Sequence, residues 1–216
     1  MRPWRAAPTT CVLALLASSC APPEPARVVD SAGAAPCTET GAAEIPPAGT
    51  RLATSYAENF EVHYEPGYKR LVVHAPWGGR TRSRTYYLVP CGSRPDLPAD
   101  ADVLRIPPGR VATTSTTQLP HFVALDVVDH LAGHNRLDFI YDETLRARAA
   151  AGELREVGDG VRLEPETLVD LEPDLVFATT IGNPDLDPLG LLGRIGSPAV
   201  VDASFMEASP LGRAEW

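Results

Sequence analysis

Apolar and polar positions alternate along Phe60-Glu61-Val62-His63-Tyr64, and shorter apolar runs follow at Leu71-Val72-Val73-His74 and Thr85-Tyr86-Tyr87-Leu88-Val89. Glycine and proline punctuate them at Pro66-Gly67, Pro76-Trp77-Gly78-Gly79 and Pro90-Cys91-Gly92. Runs of this length bounded by turn residues predict short antiparallel strands joined as hairpins.

The rhythm then changes. Val111-Ala112-Thr113-Thr114 predicts a strand. Leu119, Phe122, Val123, Val127 and Leu131 recur at helical spacing and predict a helix over about 119–131, with Pro120 in its first turn and Gly133 ending it. Further strands are predicted at Leu137-Asp138-Phe139-Ile140-Tyr141, Asp174-Leu175-Val176-Phe177-Ala178 and Pro198-Ala199-Val200-Val201. Helices opening at Pro165 and covering about 185–194 separate the last three. Strands alternating with helices imply right-handed crossovers and a parallel sheet. The expected class is α/β: a Rossmann-like parallel-sheet lobe flanked by helices, preceded by short antiparallel strands.

The first fifty residues do not join this pattern. Arg2 and Arg5 precede a short apolar run from Cys11 to Leu16, too short for a permanent membrane helix. Ala17-Ser18-Ser19-Cys20 then places small residues before a cysteine, as at a bacterial lipoprotein cleavage site. Residues 1–19 are expected to be a signal peptide and Cys20 the lipidated N-terminus; the alternative is an ordinary secretory signal with an incidental cysteine. Residues 20–50 are rich in Pro, Ala, Gly and Glu, and too poor in large apolar side chains to offset their ordering entropy. They are expected to be a tether, with the folded lobe over 51–216. In an exported chain Cys37 and Cys91 either form a disulfide or remain two thiols.

The chain has 19 Lys and Arg against 28 Asp and Glu, a net charge of −9. That argues against a nucleic-acid partner, which needs a basic face. No G-x-S-x-G elbow and no Walker loop occurs, and Gly190, Gly193 and Gly196 have the wrong spacing for a dinucleotide turn. Ligands of open parallel sheets sit beyond the carboxyl ends of the strands. The candidates there are Thr114, Ser115, Thr116, Thr117, Tyr141, Thr180, Gly182 and Asn183. The hydroxyl run at 113–117 can cap the helix that follows or attract an anionic ligand. On the predicted helix, Asp126, Asp129, His130 and His134 share a stripe that is either the polar face or a divalent metal site for an exported hydrolase. His63, His74 and His121 read as surface or packing residues. After Pro165, Leu168, Val169 and Leu171 are expected inward, leaving Glu166 and Asp170 outward, where Glu166 suits a helix N-terminus.

The order of these elements resembles a known family. Val111-Ala112-Thr113-Thr114-Ser115-Thr116-Thr117, then Gly158, then Glu166-Thr167-Leu168 and Leu171-Glu172-Pro173-Asp174-Leu175-Val176, is similar to the periplasmic binding proteins of ABC importers for iron complexes and cobalamin. Residues 207–216 look like the start of the long interdomain helix of that family, and the resemblance covers about 52–216. It implies a substrate-binding lipoprotein and not an enzyme, with no cofactor and no resident metal. Its cargo would be a ferric siderophore, haem or cobalamin, held by the strand-end residues named above. Glu166 would pair with arginines of a permease that works with an ATPase. The chain would lie outside a bacterial membrane, on its periplasmic or cell-surface side, anchored by lipid. It would be the N-terminal lobe only, because Trp216 falls where the interdomain helix begins. A lipid-anchored scaffold without cargo is the remaining alternative.

Overall fold

The structure is a computed structural model that describes residues 47–75, 82–180, 183 and 187–216. Two sheets carry it. The first holds β1 (Phe60–Glu65), β2 (Tyr68–Ala75), β3 (Arg82–Pro90) and β4 (Asp102–Ile106), in that order. β1, β2 and β3 pair antiparallel and β4 runs parallel to β3. Register places Phe60 opposite Val73, and Val62 opposite Leu71 and Tyr86 beyond it. One face is therefore apolar, while Glu61, His63 and His74 share the other, where both imidazoles lie against the Glu61 carboxylate.

The second sheet is entirely parallel. It contains β5 (Val111–Thr113), β6 (Leu131–His134), β7 (Arg155–Glu156), β8 (Leu175–Thr179) and β9 (Ala199–Asp202), ordered β7-β6-β5-β8-β9. Strand order reverses between β5 and β8, which makes the carboxyl ends of those two strands the switch point of the sheet. β5 is buried at all three residues and Val176 and Ala178 of β8 at 0% exposure, as a sheet covered on both faces requires.

The helices are α1 (Leu119–Ala124), α2 (Glu143–Ala150), α3 (Pro165–Leu171), α4 (Pro188–Ile195) and α5 (Pro210–Ala214). α3 opens on Pro165 and closes on Glu172 in the left-handed region, φ 48°. α4 is capped by the Asp187 carboxylate, which accepts from Leu189 N, and ends at Gly196, φ 73°. One apolar core joins Leu168 and Leu171 of α3 and Leu192 of α4 to Val176 and Val201, and extends to Val73 and Tyr86 of the first sheet. A second packs Leu119 and Phe122 of α1 and Leu145 of α2 against Val111 and Leu131.

Four expectations are corrected. The helix predicted over 119–131 stops at Ala124, because the chain reverses through Asp126 at φ 56°. The strand expected at 137–141 lies earlier, at β6; residues 137–139 form a single 3-10 turn. Gly133 is therefore no helix terminator. It sits inside β6, where a Cβ would come within 2.8 Å of Leu171 Cδ2 and 2.9 Å of Val157 Cγ1. Val169 is 53% exposed, so α3 buries only Leu168 and Leu171.

The α3 contrast is measurable. Leu168→Ala should lower stability by about 2–5 kcal/mol in urea denaturation, as loss of a fully buried leucine does, while Val169→Ala should change it by less than about 0.5 kcal/mol.

Candidate functional site

The switch point is organised by one buried amide, that of Gln118. Its Oε1 accepts from Thr114 N at 3.0 Å and Ser115 N at 3.1 Å, and its Nε2 donates to Thr179 Oγ1 at 3.0 Å and Asp202 Oδ2 at 2.8 Å. The carboxyl ends of β5, β8 and β9 are thereby joined through one side chain. Ser115 completes a capping box with Gln118, accepting at Oγ from Thr117 N. Thr114 Oγ1 accepts from Thr179 N at 2.8 Å, and Asp202 Oδ1 from Ser204 N at 2.8 Å.

A second junction braces the loop after β6. Asn135 Nδ2 donates to Thr114 O, while its Oδ1 accepts from Gly160 N. Gly158 must be glycine for this packing, since a Cβ there would fall 2.1 Å from Asn135 Oδ1. Beneath it, His134 is 1% exposed and shares a 2.8 Å hydrogen bond between Nδ1 and the Thr113 hydroxyl. Burial holds the imidazole neutral and pushes its pKa down to about 4.

The predicted ligand residues separate on this scaffold. Thr116 and Thr117 are exposed, and Thr114 and Ser115 partly so; together they form a hydroxyl rim above Gln118. Tyr141 stands 85% exposed before α2, with no hydrogen bond to the rim among the described residues. Thr180 is 1% exposed and Asn183 is exposed. Gly182, Cys20 and Cys37 lie outside the described residues. Cys91 is disulfide-bonded, to a partner also outside them.

The acidic and histidine stripe does not form. Asp126 occupies the turn after α1, Asp129 and His130 a separate 3-10 turn, and His134 the buried last position of β6. His130 Nδ1 is bonded to Pro108 O at 2.8 Å. No cluster of three or more metal-ligating side chains occurs among the described residues. Glu166 is exposed in the first turn of α3 beside exposed Val169 and Asp170, without an ion-pair partner among the described residues.

A separate concavity lies between the sheets. This mostly apolar cleft of about 670 Å³ has Phe60, Val62 and Leu71 on one wall and Phe122, Phe177 and Val200 on the other. Among the described residues, none of the predicted ligand residues lines it. It meets the rim through Gln118, Asp202 and Ser204. Asp202 is marked in the sequence as the first polar residue after a predicted strand; Gln118 and Asn135 were not singled out. The spacing Ser115-x-x-Gln118, a capping-box signature, marks Gln118; nothing local marks Asn135.

Two measurements test this account. Gln118→Ala should cost about 1–3 kcal/mol in urea denaturation, because it leaves buried Asp202 without its amide donor. His134 should make the fold acid-sensitive. Its unfolded form takes a proton near pH 6.5 and its native form only near pH 4, so stability should fall as pH drops through that window. The urea midpoint should decline less between those values in His134→Gln.

No family model matches the chain, and no curated protein matches it. It is similar to several solved structures over 44% of its length. They include the iron-uptake ABC transporter substrate-binding protein PiuA from Streptococcus pneumoniae, at 20% identity and TM-score 0.35, and the petrobactin-binding protein YclQ from Bacillus subtilis, at 16% and 0.35. A periplasmic heme-binding protein from Pseudomonas aeruginosa aligns at 25% identity and TM-score 0.33. The alignments span 30%, 30% and 31% of those chains, respectively.

Proposed function

We propose that residues 51–216 form the N-terminal lobe of a substrate-binding protein that delivers an iron complex or cobalamin to an ABC importer. The observation that carries this reading is the hydroxyl rim at 114–117, held at the switch point by Gln118 and open to solvent. A rim of fixed donors and acceptors suits reversible capture of a polar cargo. Catalysis is less well served. Ser115 Oγ is bonded to Thr117 Oγ1, and the imidazole of His134 is buried against Thr113, away from any serine bond. The order of motifs from Val111 to Val176 supports the same reading.

The rest of the assignment follows it. Residues 1–19 are a signal peptide, Cys20 is the lipidated residue, and 20–50 tether the lobe to the outer face of a membrane. No helix among the described residues is long and apolar enough to cross one. Cys37 is the partner we assign to Cys91. Tyr141, Thr180, Gly182 and Asn183 border the cargo less directly than 114–117. Glu166 docks on permease arginines, where an exposed acid steers encounter and fixes register.

Calorimetry with a ferric siderophore, hemin and cobalamin tests the reading. Residues 51–216 supply one wall of a cleft, so alone they should bind each poorly or not at all. Joined to a second lobe they should bind at least one, and Thr116→Trp should weaken that binding by about tenfold or more, equivalent to about 1.4 kcal/mol, without lowering stability. No binding of any of the three by the two-lobe protein would sink the assignment. Glu166→Arg should leave binding intact and stop uptake in cells; uptake at the normal rate would remove the docking role.

A further inference from the structure

Residues 207–216 do more than follow β9. Glu207 Oε2 accepts from Glu58 N at 3.0 Å, and its Oε1 from Asn59 N at 2.9 Å and from the Trp216 indole at 2.8 Å. Glu215 Oε1 accepts from Ser55 N at 3.0 Å, and its Oε2 from Tyr56 N at 2.8 Å and Ala57 N at 2.7 Å. Five consecutive backbone amides before β1 are thus held by two carboxylates from one short segment after β9. Successive N–H groups turned to one side form an anion-binding concavity. Here the chain fills that concavity with its own acids.

The surroundings fit a clasp. Glu207 is 2% exposed, and the Trp216 ring meets the Phe60 ring edge-on at 5.1 Å. α5 comes close enough that a Cβ on Gly212 would lie 2.9 Å from Tyr56 O. Phe60, Glu215 and Trp216 all line the cleft between the sheets, so the clasp stands at its mouth.

We propose that residues 207–216 form a carboxylate-fastened strap that closes the first sheet onto the second and lets go on acidification. Every partner of the two carboxylates is a donor. A protonated acid presents a hydroxyl to a row of N–H groups and has nothing there to accept it. Glu58 on the loop and Arg213 on α5 flank the strap, and His121, His130 and Asp202 line the same cleft as Glu215; Arg213 Nε donates to the Glu207 carbonyl and not to its carboxylate. No cationic side chain pairs with either carboxylate among the described residues, so dipoles alone hold both charges.

Burial pushes the Glu207 carboxyl up, but the Trp216 indole and the amides of Glu58 and Asn59 outweigh it and keep its pKa below the ordinary 4.5. The amides of Ala57, Tyr56 and Ser55 lower that of Glu215. With native values below the unfolded value, the contribution of the strap is complete above pH 4.5 and drains away as pH falls below it. This inference is independent of any cargo.

The full chain carrying Trp4→Phe and Trp77→Phe keeps Trp216 as its sole tryptophan. Its acrylamide quenching should rise at least about twofold during acidification below pH 4.5, while the far-ultraviolet circular dichroism of the sheets persists. Adding Glu207→Gln and Glu215→Gln should expose Trp216 at neutral pH and abolish the step. In Glu215→Ala, formate but not chloride should restore protection. One coincident loss of dichroism and protection on acidification would overturn the proposal, as would a double variant as protected as the parent. Loss of dichroism at neutral pH in Glu215→Gln alone would overturn it too, because the segment would then be core and not strap.

Discussion

The amide of Gln118 is the point on which the carboxyl edge of the parallel sheet depends. A primary amide carries an acceptor and two donors at one end of a flexible stem, and all are used. The acceptor fixes the two amides after β5, and the donors reach the hydroxyl after Phe177-Ala178 and the carboxylate that ends β9. β5 and the two later strands β8 and β9 are thereby locked in relative height. The solvent-facing hydroxyls above need no support of their own, because their backbone is already held from below. Buried polar groups of this kind stabilise only when fully satisfied, and among the described residues no buried side-chain polar atom lacks a partner.

Much of the architecture was legible because burial is written into the residues. Val111-Ala112-Thr113 and Leu175-Val176-Phe177 are short apolar runs, as strands buried on both faces must be. Pro165 with Leu168 and Leu171 marks α3 by its start and by its inward face. The exposed position of Glu166 followed from the same periodicity. Val169 broke it, since a helix of seven residues on a sheet edge buries one narrow stripe and leaves the flank wet.

What was not legible was fixed by partners distant in sequence. Leu119, Phe122, Val127 and Leu131 keep helical spacing, yet the positive φ at Asp126 divides them between a helix, a turn and a strand. Gly133 reads as a helix end until Leu171 and Val157 are seen to crowd it. α2 buries only Leu145 and so carries almost no amphipathic signal. β7 is two exposed residues that become a strand only by pairing with Gly133 and His134. The metal-like stripe belonged to the misread helix and vanished with it. In the site, Asn135 and Asp202 act through the far ends of other strands, which no local spacing records.

The margins of the parallel sheet have a consequence of their own. An open sheet offers its outermost strands as templates for other chains. β7 answers by brevity and by charge, with only Arg155 and Glu156 on show. β9 is longer and apolar, but the phenol of buried Tyr86 accepts the outward N–H of Val201 at 3.1 Å. The hairpin sheet thus serves as a bumper along the vulnerable side, and the sequence that looked like a preamble to the α/β unit becomes its protection against aggregation.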